Sequence, residues 1–324
     1  MQPTPVLDDR AAFAATFAAD LGEALRRQPR QIPSKYLYDE LGSALFEAIC
    51  RLPWYRITRA ESSMLVQHAR AILQPLRRPV SLAELGCGSG EKIALLASAA
   101  GEQFPLIQLI DISQAALDMA RYRLQAIGIR AVLAHHVPYE EGVALAADQR
   151  PPDGSLVMLF LGSNIGNYSP AVGRDLLARI RRSLRPGDAL LLGTDLVKPE
   201  RELLLAYDDP LKITAAFNRN LLRRINDELG GDFDLEGFTH RAIWNAVDRR
   251  VEVHLMSVRA QRVTIPAVPI ELDLREGESI WTESSHKYEP AHVIHEGIAA
   301  GFSDAEQWID HDAKFALTRF SLAE

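Results

Sequence analysis

Residues Glu84–Lys92 read Glu-Leu-Gly-Cys-Gly-Ser-Gly-Glu-Lys, and they follow an apolar run that begins at Val80. Three glycines alternate with other residues here, directly after what the pattern predicts to be a buried strand. Glycines at such a turn let the backbone approach a ligand and let the next helix start close to the sheet. The dinucleotide fingerprint G-x-G-x-x-G places its third glycine one position later. The stretch therefore predicts a ligand-binding turn of another kind, and the competing interpretation is a tight strand-to-helix turn without a ligand.

Apolar runs alternate with helical patterns on both sides of this turn. The candidate strands are residues 80–86, 105–111, 130–136, 155–162 and 188–196, and the helical patterns between them cover about 90–100, 113–127 and 170–184. Unbroken apolar strands that alternate with helices are typical of a parallel sheet covered on both faces. The pattern predicts an α/β fold with a doubly wound, Rossmann-like sheet, in which the turn 184–188 leads into the fifth strand.

The rest of the chain follows a different pattern. Helical spacing covers residues 9–28 and 59–73, and apolar residues recur every four positions from Ile213 to Leu229, where Gly230-Gly231 predicts the helix end. The alternating runs 250–258, 262–266 and 270–274 predict antiparallel strands, followed by a helix at 289–300 and a strand at 314–321. We expect a core of residues 58–196 plus 287–324 and a smaller α+β lobe of residues 1–57 plus 197–286.

Composition narrows the class of protein. The formal net charge of -7 and the pI near 5.8 argue against a nucleic-acid binder, which would carry a basic face. Two cysteines, Cys50 and Cys87, provide neither a disulfide framework nor a cysteine metal cluster. The sequence shows no signal-peptide pattern and no apolar run of about 18 residues, the length that a membrane span needs. We expect a cytoplasmic monomer without a metal and without nucleic-acid or membrane partners.

Two acidic residues accompany the glycine turn. Glu84 lies two positions before Gly86, and Asp111 ends the second predicted strand, 21 residues after Gly90. Asp111 is thus positioned to accept hydrogen bonds from ribose hydroxyls. This arrangement resembles motif I of the class I S-adenosylmethionine-dependent methyltransferases. The resemblance favours S-adenosylmethionine over NAD as the cofactor, and an NAD oxidoreductase remains the alternative from another enzyme class.

Four further stretches extend the resemblance over nearly the whole chain. They are residues 33–61 (PSKYLYDELGSALFEAICRLPWYRITRAE), 160–170 (FLGSNIGNYSP), 193–222 (GTDLVKPERELLLAYDDPLKITAAFNRNLL) and 281–288 (WTESSHKY). With them, the chain is similar to the L-histidine Nα-methyltransferase family of ergothioneine biosynthesis, whose members trimethylate the α-amine of histidine to hercynine. The resemblance implies a class I methyltransferase sheet with a second, substrate-binding lobe. It also implies S-adenosylmethionine as the cofactor and free L-histidine as the substrate.

The resemblance also implies the site residues. Cofactor contacts would come from Gly86, Lys92 and Asp111, together with Gly88 and Gly90 of the turn, and the substrate would lie among Tyr38, Phe46, Tyr55, Gly162, Asn167, Tyr207, Glu283 and Ser285. Among these, Tyr55 matches an aromatic residue that contacts the imidazole. Asn167 and Tyr207 match residues that hold the carboxylate and amine end of the substrate. Glu283 and Ser285 match the pair that binds the imidazole ring, where the carboxylate accepts from an N–H and the hydroxyl can donate or accept.

Catalysis needs a neutral amine, because an α-ammonium has no lone pair. Tyr38, or a water held near Gly162 and Asn167, is the candidate proton relay. A trimethylated product cannot donate a hydrogen bond, so the faces of Tyr38, Phe46 or Tyr55 would hold it by cation–π attraction of about 0.5–2 kcal/mol.

Two departures from the family pattern keep alternatives open. Where the family has Gly-Asp-Phe after the third strand, this chain has Val137-Pro138-Tyr139, so Pro138 and Tyr139 would meet the cofactor without an acidic contact to adenine. Val253 stands where some members have methionine, which leaves extra room beside the ring. The alternatives are an N-methyltransferase for another amino acid or amine, and a non-catalytic protein that binds S-adenosylmethionine.

Overall fold

A computed structural model describes residues 6–101 and 103–323 of the chain. The helices, in chain order, are α1 Val6–Leu25, α2 Glu40–Cys50, α3 Ile57–Leu73, α4 Glu91–Ala100, α5 Gln114–Ala126, α6 Tyr139–Asp148, α7 Pro170–Ser183, α8 Glu200–Tyr207, α9 Ile213–Leu229 and α10 Pro290–Ala299. The strands are β1 Val80–Leu85, β2 Ile107–Asp111, β3 Val132–His136, β4 Ser155–Phe160, β5 Ala189–Asp195, β6 Phe238–Asn245, β7 Arg250–Ser257, β8 Gln261–Ile265, β9 Ile270–Leu274, β10 Ser279–His286, β11 Asp304–Asp310 and β12 Phe315–Ser321.

The chain divides into two compact units. The large-sheet unit consists of Cys50–Pro199, Val247–Arg250 and the chain from Ser285 onward. The small-sheet unit consists of the chain up to Ile49, Glu200–Ala246 and Val251–Ser284. Each unit is therefore assembled from segments that are distant in sequence.

The large-sheet unit is built on a seven-stranded sheet with the order β11-β12-β5-β4-β1-β2-β3. Strands β1 to β5 pair in parallel, whereas β12 is antiparallel to both β5 and β11. Every residue of β1, β2, β4 and β5 is buried, as expected for parallel strands covered on both faces. The predicted α/β doubly wound fold is confirmed.

The strand order creates a topological switch point between β1 and β4, in the middle of the sheet. The chain runs outward from β1 to β2 and β3 on one side, and returns through β4 and β5 on the other side of β1. In such sheets the ligand crevice opens beyond the carboxyl ends of the strands beside the switch. The glycine turn after β1, Asp111 at the end of β2 and Gly162 after β4 therefore share this carboxyl edge.

Two elements of the large-sheet unit were not expected from the sequence. Helix α6 follows Pro138 and contains Gly142, and both residue types favour turns in a short segment. The structure explains the glycine, because a Cβ at this position would lie 2.3 Å from the Ile110 side chain. Strand β11 lies at the edge of the sheet beside β12, and its residues are exposed or half-buried, so they form no buried apolar run.

The small-sheet unit contains helices α1, α8 and α9, all of α2 except its last residue, a three-stranded sheet with the order β10-β7-β6, and the antiparallel pair β8-β9. The predicted helix end at Gly230 is confirmed, and this residue has a left-handed φ of 70°. Asp209 precedes the same helix and stabilises its start, because its side chain accepts hydrogen bonds from the backbone N–H groups of Ile213 and Thr214. No helix of the described residues is long and apolar enough to cross a membrane.

Candidate active site

The glycine turn after β1 has the backbone that its sequence predicts. Gly86, Gly88 and Gly90 have φ angles of 73°, 50° and 71°, in the left-handed region that favours glycine. A Cβ at Gly90 would lie 2.6 Å from the Cβ of Ala120, so glycine is what allows α4 to start against α5. At Gly88 no described atom lies within 4 Å of such a Cβ. The turn is thus tightly packed at one glycine and open at another.

Asp111 is tied directly to this turn. Its Oδ2 accepts a hydrogen bond of 3.0 Å from the Gly88 backbone N–H, and its Oδ1 accepts one of 2.9 Å from the Ser113 N–H. Burial raises the pKa of Asp111, although these backbone donors act in the opposite direction. The carboxylate therefore stands at the carboxyl edge of β2, where the sequence predicts a contact to a ribose.

The surroundings of the Glu84 side chain favour a positively charged ligand. Its Oε2 is buried and has no hydrogen-bond partner among the described residues. Burial raises the pKa of Glu84 to about 8, and the nearby Glu61 and Asp111 carboxyl groups act in the same direction. A buried acidic oxygen without a donor, two residues before the open glycine turn, fits a ligand that brings positive charge and N–H donors. S-Adenosylmethionine carries both, in its sulfonium and its α-ammonium.

Lys92 is held by a carboxylate that the sequence analysis missed. Its Nζ lies 2.5 Å from Glu61 Oε2, and the Gly162 backbone N–H donates to both Glu61 oxygens, at 2.9 and 2.8 Å. Burial alone would lower the pKa of Lys92, but the Glu61 carboxylate outweighs burial and raises it. Glu61 thereby joins the start of α4 to the end of β4. Its position on the apolar face of α3, between Ile57 and Leu65, is a signal that could have identified it.

At the departure Val137-Pro138-Tyr139, the tyrosine side chain lies at the glycine turn. A Cβ at Gly86 would lie 2.7 Å from Tyr139 Oη, so the tyrosine hydroxyl lies against the turn. The ring packs edge-on against Phe160 at 5.3 Å, and burial raises the pKa of this tyrosine well above its usual range. Pro138, in contrast, is exposed at the start of α6.

The remaining predicted residues of the large-sheet unit lie in loops and at the end of a strand. Tyr55 is buried in the loop before α3, and Asn167 ends a short 3-10 helix, Asn164–Asn167. Gly162 has a φ of 73°, and a Cβ there would lie 2.9 Å from Lys92 Nζ. Ser285 is buried in β10, and its Oγ accepts a hydrogen bond of 2.8 Å from Lys287 Nζ.

In the small-sheet unit, Tyr38 and Phe46 meet a third aromatic ring. Both pack against Phe217 of α9, with ring centroids at 5.5 and 5.9 Å, and they lie 5.5 Å from each other. Phe217 belongs to the four-residue apolar repeat that predicted α9, and that repeat carries no signal for its place in this aromatic cluster. Asp39 holds the segment in place, because it accepts hydrogen bonds from the Gly42 N–H and the Asn220 side chain, both at 2.7 Å.

Three further residues of interest lie in the small-sheet unit. Tyr207 is buried at the end of α8, and its carbonyl accepts a hydrogen bond of 2.8 Å from His240 Nε2. Glu283 is half-buried on β10, where its carbonyl accepts from Trp281 Nε1 at 2.7 Å. Val253 is buried in β7. Within residues 6–101 and 103–323, no group of three His, Cys, Asp or Glu side chains is placed to hold a metal ion.

The sheet order, the G-x-G-x-G turn and the acidic residues around it define a class I S-adenosylmethionine-dependent methyltransferase. The model of one family, described as histidine-specific methyltransferases that depend on S-adenosylmethionine, matches residues 17–322. The chain therefore belongs to this family of enzymes. Both the resemblance and the cofactor expected from the sequence are confirmed, and an NAD oxidoreductase is ruled out.

Three relatives illustrate the family. The chain is 38% identical over 322 residues to a histidine N-alpha-methyltransferase of Mycolicibacterium smegmatis, covering 95% of this chain and 98% of the relative. It is 37% identical over 305 residues to the enzyme of the same description from Mycobacterium tuberculosis, covering 92% of each. It is also 26% identical over 324 residues to an L-tryptophan methyltransferase of Psilocybe serbica, covering 91% of this chain and 90% of the relative.

Proposed function

We propose that this protein transfers methyl groups from S-adenosylmethionine to the α-amino nitrogen of free L-histidine, three times in succession, to give hercynine for ergothioneine biosynthesis. The observation that carries the proposal is the match to the histidine-specific family over residues 17–322, which includes segments of both units. The two mycobacterial relatives support the choice of nitrogen, since both are described as N-alpha-methyltransferases.

We assign cofactor binding to the large-sheet unit. Asp111 would accept from the ribose hydroxyls, and the open backbone at Gly88 would allow close approach of the ligand. Glu84 would face the positive charge of the ligand. Tyr139 would partly replace the acidic contact to adenine that this chain lacks. When bound, S-adenosylmethionine supplies an activated methyl group on a sulfonium sulfur.

The chain's own residues must orient the amine and receive its proton. We assign Asn167 and Tyr207 to the carboxylate and amine end of histidine, which aligns the nitrogen for in-line attack. Tyr38, or a water held at Gly162 and Asn167, would take the proton that the ammonium must lose before each transfer. Each methylation releases one proton, so three transfers release three.

The aromatic cluster of Tyr38, Phe46 and Phe217 fits the charge of the product. A quaternary ammonium offers no hydrogen bond, but aromatic faces attract it by about 0.5–2 kcal/mol each. We propose that Tyr38 and Phe46 present such faces, and that Phe217 fixes their orientation through its edge-on contact with Tyr38 and its tilted contact with Phe46.

Recognition of the amino acid would rest on the imidazole. We assign Glu283 to accept from an imidazole N–H, Ser285 to bind the other ring nitrogen, and Tyr55 to contact the ring. Removing one partner of a buried charged hydrogen bond costs about 2–5 kcal/mol of affinity. The Glu283→Ala variant is therefore expected to lose most histidine turnover while it still binds S-adenosylmethionine. Glu276→Ala, an exposed carboxylate in the same unit, is the matched control.

A second candidate is methylation of a different amino acid. The buried Val253 favours it, because a smaller side chain than methionine leaves room for a larger ring. The Psilocybe relative, which is similar over 91% of this chain, is described as an L-tryptophan methyltransferase and therefore supports this second candidate.

The test is incubation of the protein with S-adenosylmethionine and an equimolar pool of the twenty amino acids, read by mass spectrometry. Histidine that gains up to three methyl groups supports the proposal. Methylation of tryptophan or another amino acid without histidine supports the second candidate, and no methylation contradicts both. We further propose that the protein is a cytoplasmic monomer, which light scattering of the purified protein and fractionation of its native cells would check.

A further inference from the structure

A buried cluster of two lysines and one aspartate lies next to Ser285. Lys287 Nζ lies 2.9 Å from Asp195 Oδ2, and Lys198 Nζ lies 2.5 Å from Asp195 Oδ1. The side chains of Lys287, Asp195 and Lys198 are 0%, 2% and 8% exposed. All three belong to the large-sheet unit, and none has a role in the functions assigned so far.

The backbone around Lys287 fixes where its side chain begins. Its N–H donates to the Arg249 carbonyl at 2.7 Å, and the N–H of the next residue, Tyr288, donates to the Asp195 carbonyl at 3.0 Å. Asp195 is itself the last residue of β5, and its N–H donates to Ser163 Oγ at 2.9 Å. These backbone hydrogen bonds therefore fix the segments that carry Lys287 and Asp195 at the carboxyl edge of the large sheet.

The contact of Lys287 with Ser285 has a fixed direction. An ammonium carries three donors and no acceptor, so Lys287 donates and Ser285 Oγ accepts at 2.8 Å. A hydroxyl that accepts from a cation is polarised toward donating its own proton in its other contacts.

We propose that Lys287 is a positioning residue that makes Ser285 a hydrogen-bond donor and thereby selects the neutral form of the substrate's imidazole ring. The inference rests on the proposed function, in which Ser285 binds a ring nitrogen of histidine. A neutral imidazole has one N–H and one unprotonated nitrogen. With Glu283 as the acceptor for the N–H, Ser285 donates to the unprotonated nitrogen, so one tautomer of the neutral ring satisfies both residues.

The protonated ring does not fit this arrangement. An imidazolium has an N–H at both nitrogens, so one of them would face the donor hydroxyl of Ser285. The ring of free histidine titrates near its ordinary pKa of about 6.5. The KM for histidine is therefore expected to rise as the pH falls below about 6.5, and this rise should be smaller when Lys287 no longer orients the hydroxyl.

The test is a double-mutant cycle with Lys287→Met and Ser285→Ala, in which KM and kcat for histidine are measured from pH 6 to pH 8. Lys287→Met leaves Asp195 paired with the ammonium of Lys198, so the buried carboxylate keeps a cationic partner. Lys198→Met is the matched control, since it removes the other ammonium on Asp195. We expect Lys287→Met to raise KM about tenfold at pH 8 with kcat nearly unchanged. The Lys198→Met variant should stay within about twofold.

The cycle separates positioning from a structural role. If Lys287 acts through Ser285, the double variant is no worse than Ser285→Ala alone, and the KM of Lys287→Met rises less steeply at low pH than that of the wild type. Additive losses, an unchanged KM, or an equal loss in Lys198→Met would overturn the inference. Should Lys287→Met fail to bind S-adenosylmethionine, Lys287→Leu removes the donor to Ser285 with another apolar side chain, and the same cycle and pH series decide.

Failure of the proposed function gives a different result. A wild-type protein that does not methylate histidine, or a Ser285→Ala variant with an unchanged KM, contradicts the proposed function or its assignment of Ser285. The positioning role of Lys287 is contradicted only when Ser285→Ala raises KM and Lys287 proves independent of it.

Discussion

Glu84 stands at the carboxyl edge of the large sheet with a fully buried side chain, and burial raises its pKa to about 8. An acid whose pKa is higher in the folded than in the unfolded protein binds more protons when folded. The contribution of Glu84 to the free energy of unfolding of the ligand-free protein therefore decreases as the pH rises from about 4.5, the value for an unfolded glutamate, to about 8.

Glu84→Gln should remove this dependence, because glutamine resembles the protonated acid and does not titrate. We expect the stability of the variant relative to the wild type to increase steadily from pH 5 to pH 8. Urea unfolding of the ligand-free proteins at several pH values measures it. A constant difference between the two proteins would show that Glu84 does not titrate in this range.

Glu61 joins two elements of the site, so its loss should destabilise the folded protein. Glu61→Ala leaves the ammonium of Lys92 without its carboxylate and the Gly162 N–H without an acceptor. We expect a loss of about 3 kcal/mol in the free energy of unfolding, and weaker binding of S-adenosylmethionine. Urea unfolding and titration calorimetry measure the two effects.

Two further variants serve as controls for the loss of stability in Glu61→Ala. Glu61→Gln keeps an acceptor for the Gly162 N–H and should lose less stability than Glu61→Ala. Glu91→Gln changes a half-exposed carboxylate on the neighbouring helix and should cost less than about 1 kcal/mol. Equal losses in Glu61→Ala and Glu91→Gln would contradict a special role for Glu61.

At the scale of elements, the start of α4 depends on one glycine. A Cβ at Gly90 would lie 2.6 Å from Ala120 Cβ and 2.7 Å from Ala120 Cα, so the added methyl group would clash with the backbone of α5. Gly90→Ala combines left-handed strain of about 1–2 kcal/mol with overpacking of about 1–3 kcal/mol. We expect thermal unfolding to show a loss of about 2–5 kcal/mol, with weaker cofactor binding because α4 is displaced.

The other end of the same helix provides the control. Gly101 also has a left-handed φ, of 65°, but no described atom lies within 4 Å of a Cβ built there. Gly101→Ala should therefore show the backbone strain alone, about 1–2 kcal/mol. Similar losses at Gly90 and Gly101 would mean that the contact with α5 is not a constraint.

The elements differ in how well their sequences identified them. Buried strands such as β1 and β4 were predicted because an unbroken apolar run between turns has few other interpretations. Helix α6 and strands β6 and β11 were not, since they are short or only partly buried, and their patterns are weak. Their conformation depends on neighbours such as Ile110 and β12, which the local sequence does not contain.

At the scale of the whole molecule, the assignment of the cofactor to the large-sheet unit can be tested by hydrogen exchange. S-Adenosylmethionine at about 100 times its Kd should stabilise the folded protein by about 2.7 kcal/mol. We expect the strongest local protection at residues 86–92 and 111–113, and little change in α9 of the small-sheet unit. Exchange read by mass spectrometry with and without the ligand gives the comparison.

NAD at the same concentration serves as the control ligand. The glycine spacing and the family both predict that it gives no protection at residues 86–92. Protection by S-adenosylmethionine that is confined to the small-sheet unit would contradict the division of roles between the units.

The sequence by itself determined the buried parallel strands, the glycine turn and the family, because strand burial and left-handed glycines leave local patterns. Only the tertiary structure decided which charges meet at the carboxyl edge. Glu61 bonds to Gly162 across 101 residues, and Lys287 reaches Asp195 from a segment after β10. Such pairs have no periodic signal in the chain. Their free energy arises from burial, which depends on how distant elements pack, so the glycine turn could be predicted in advance and its charged neighbours could not.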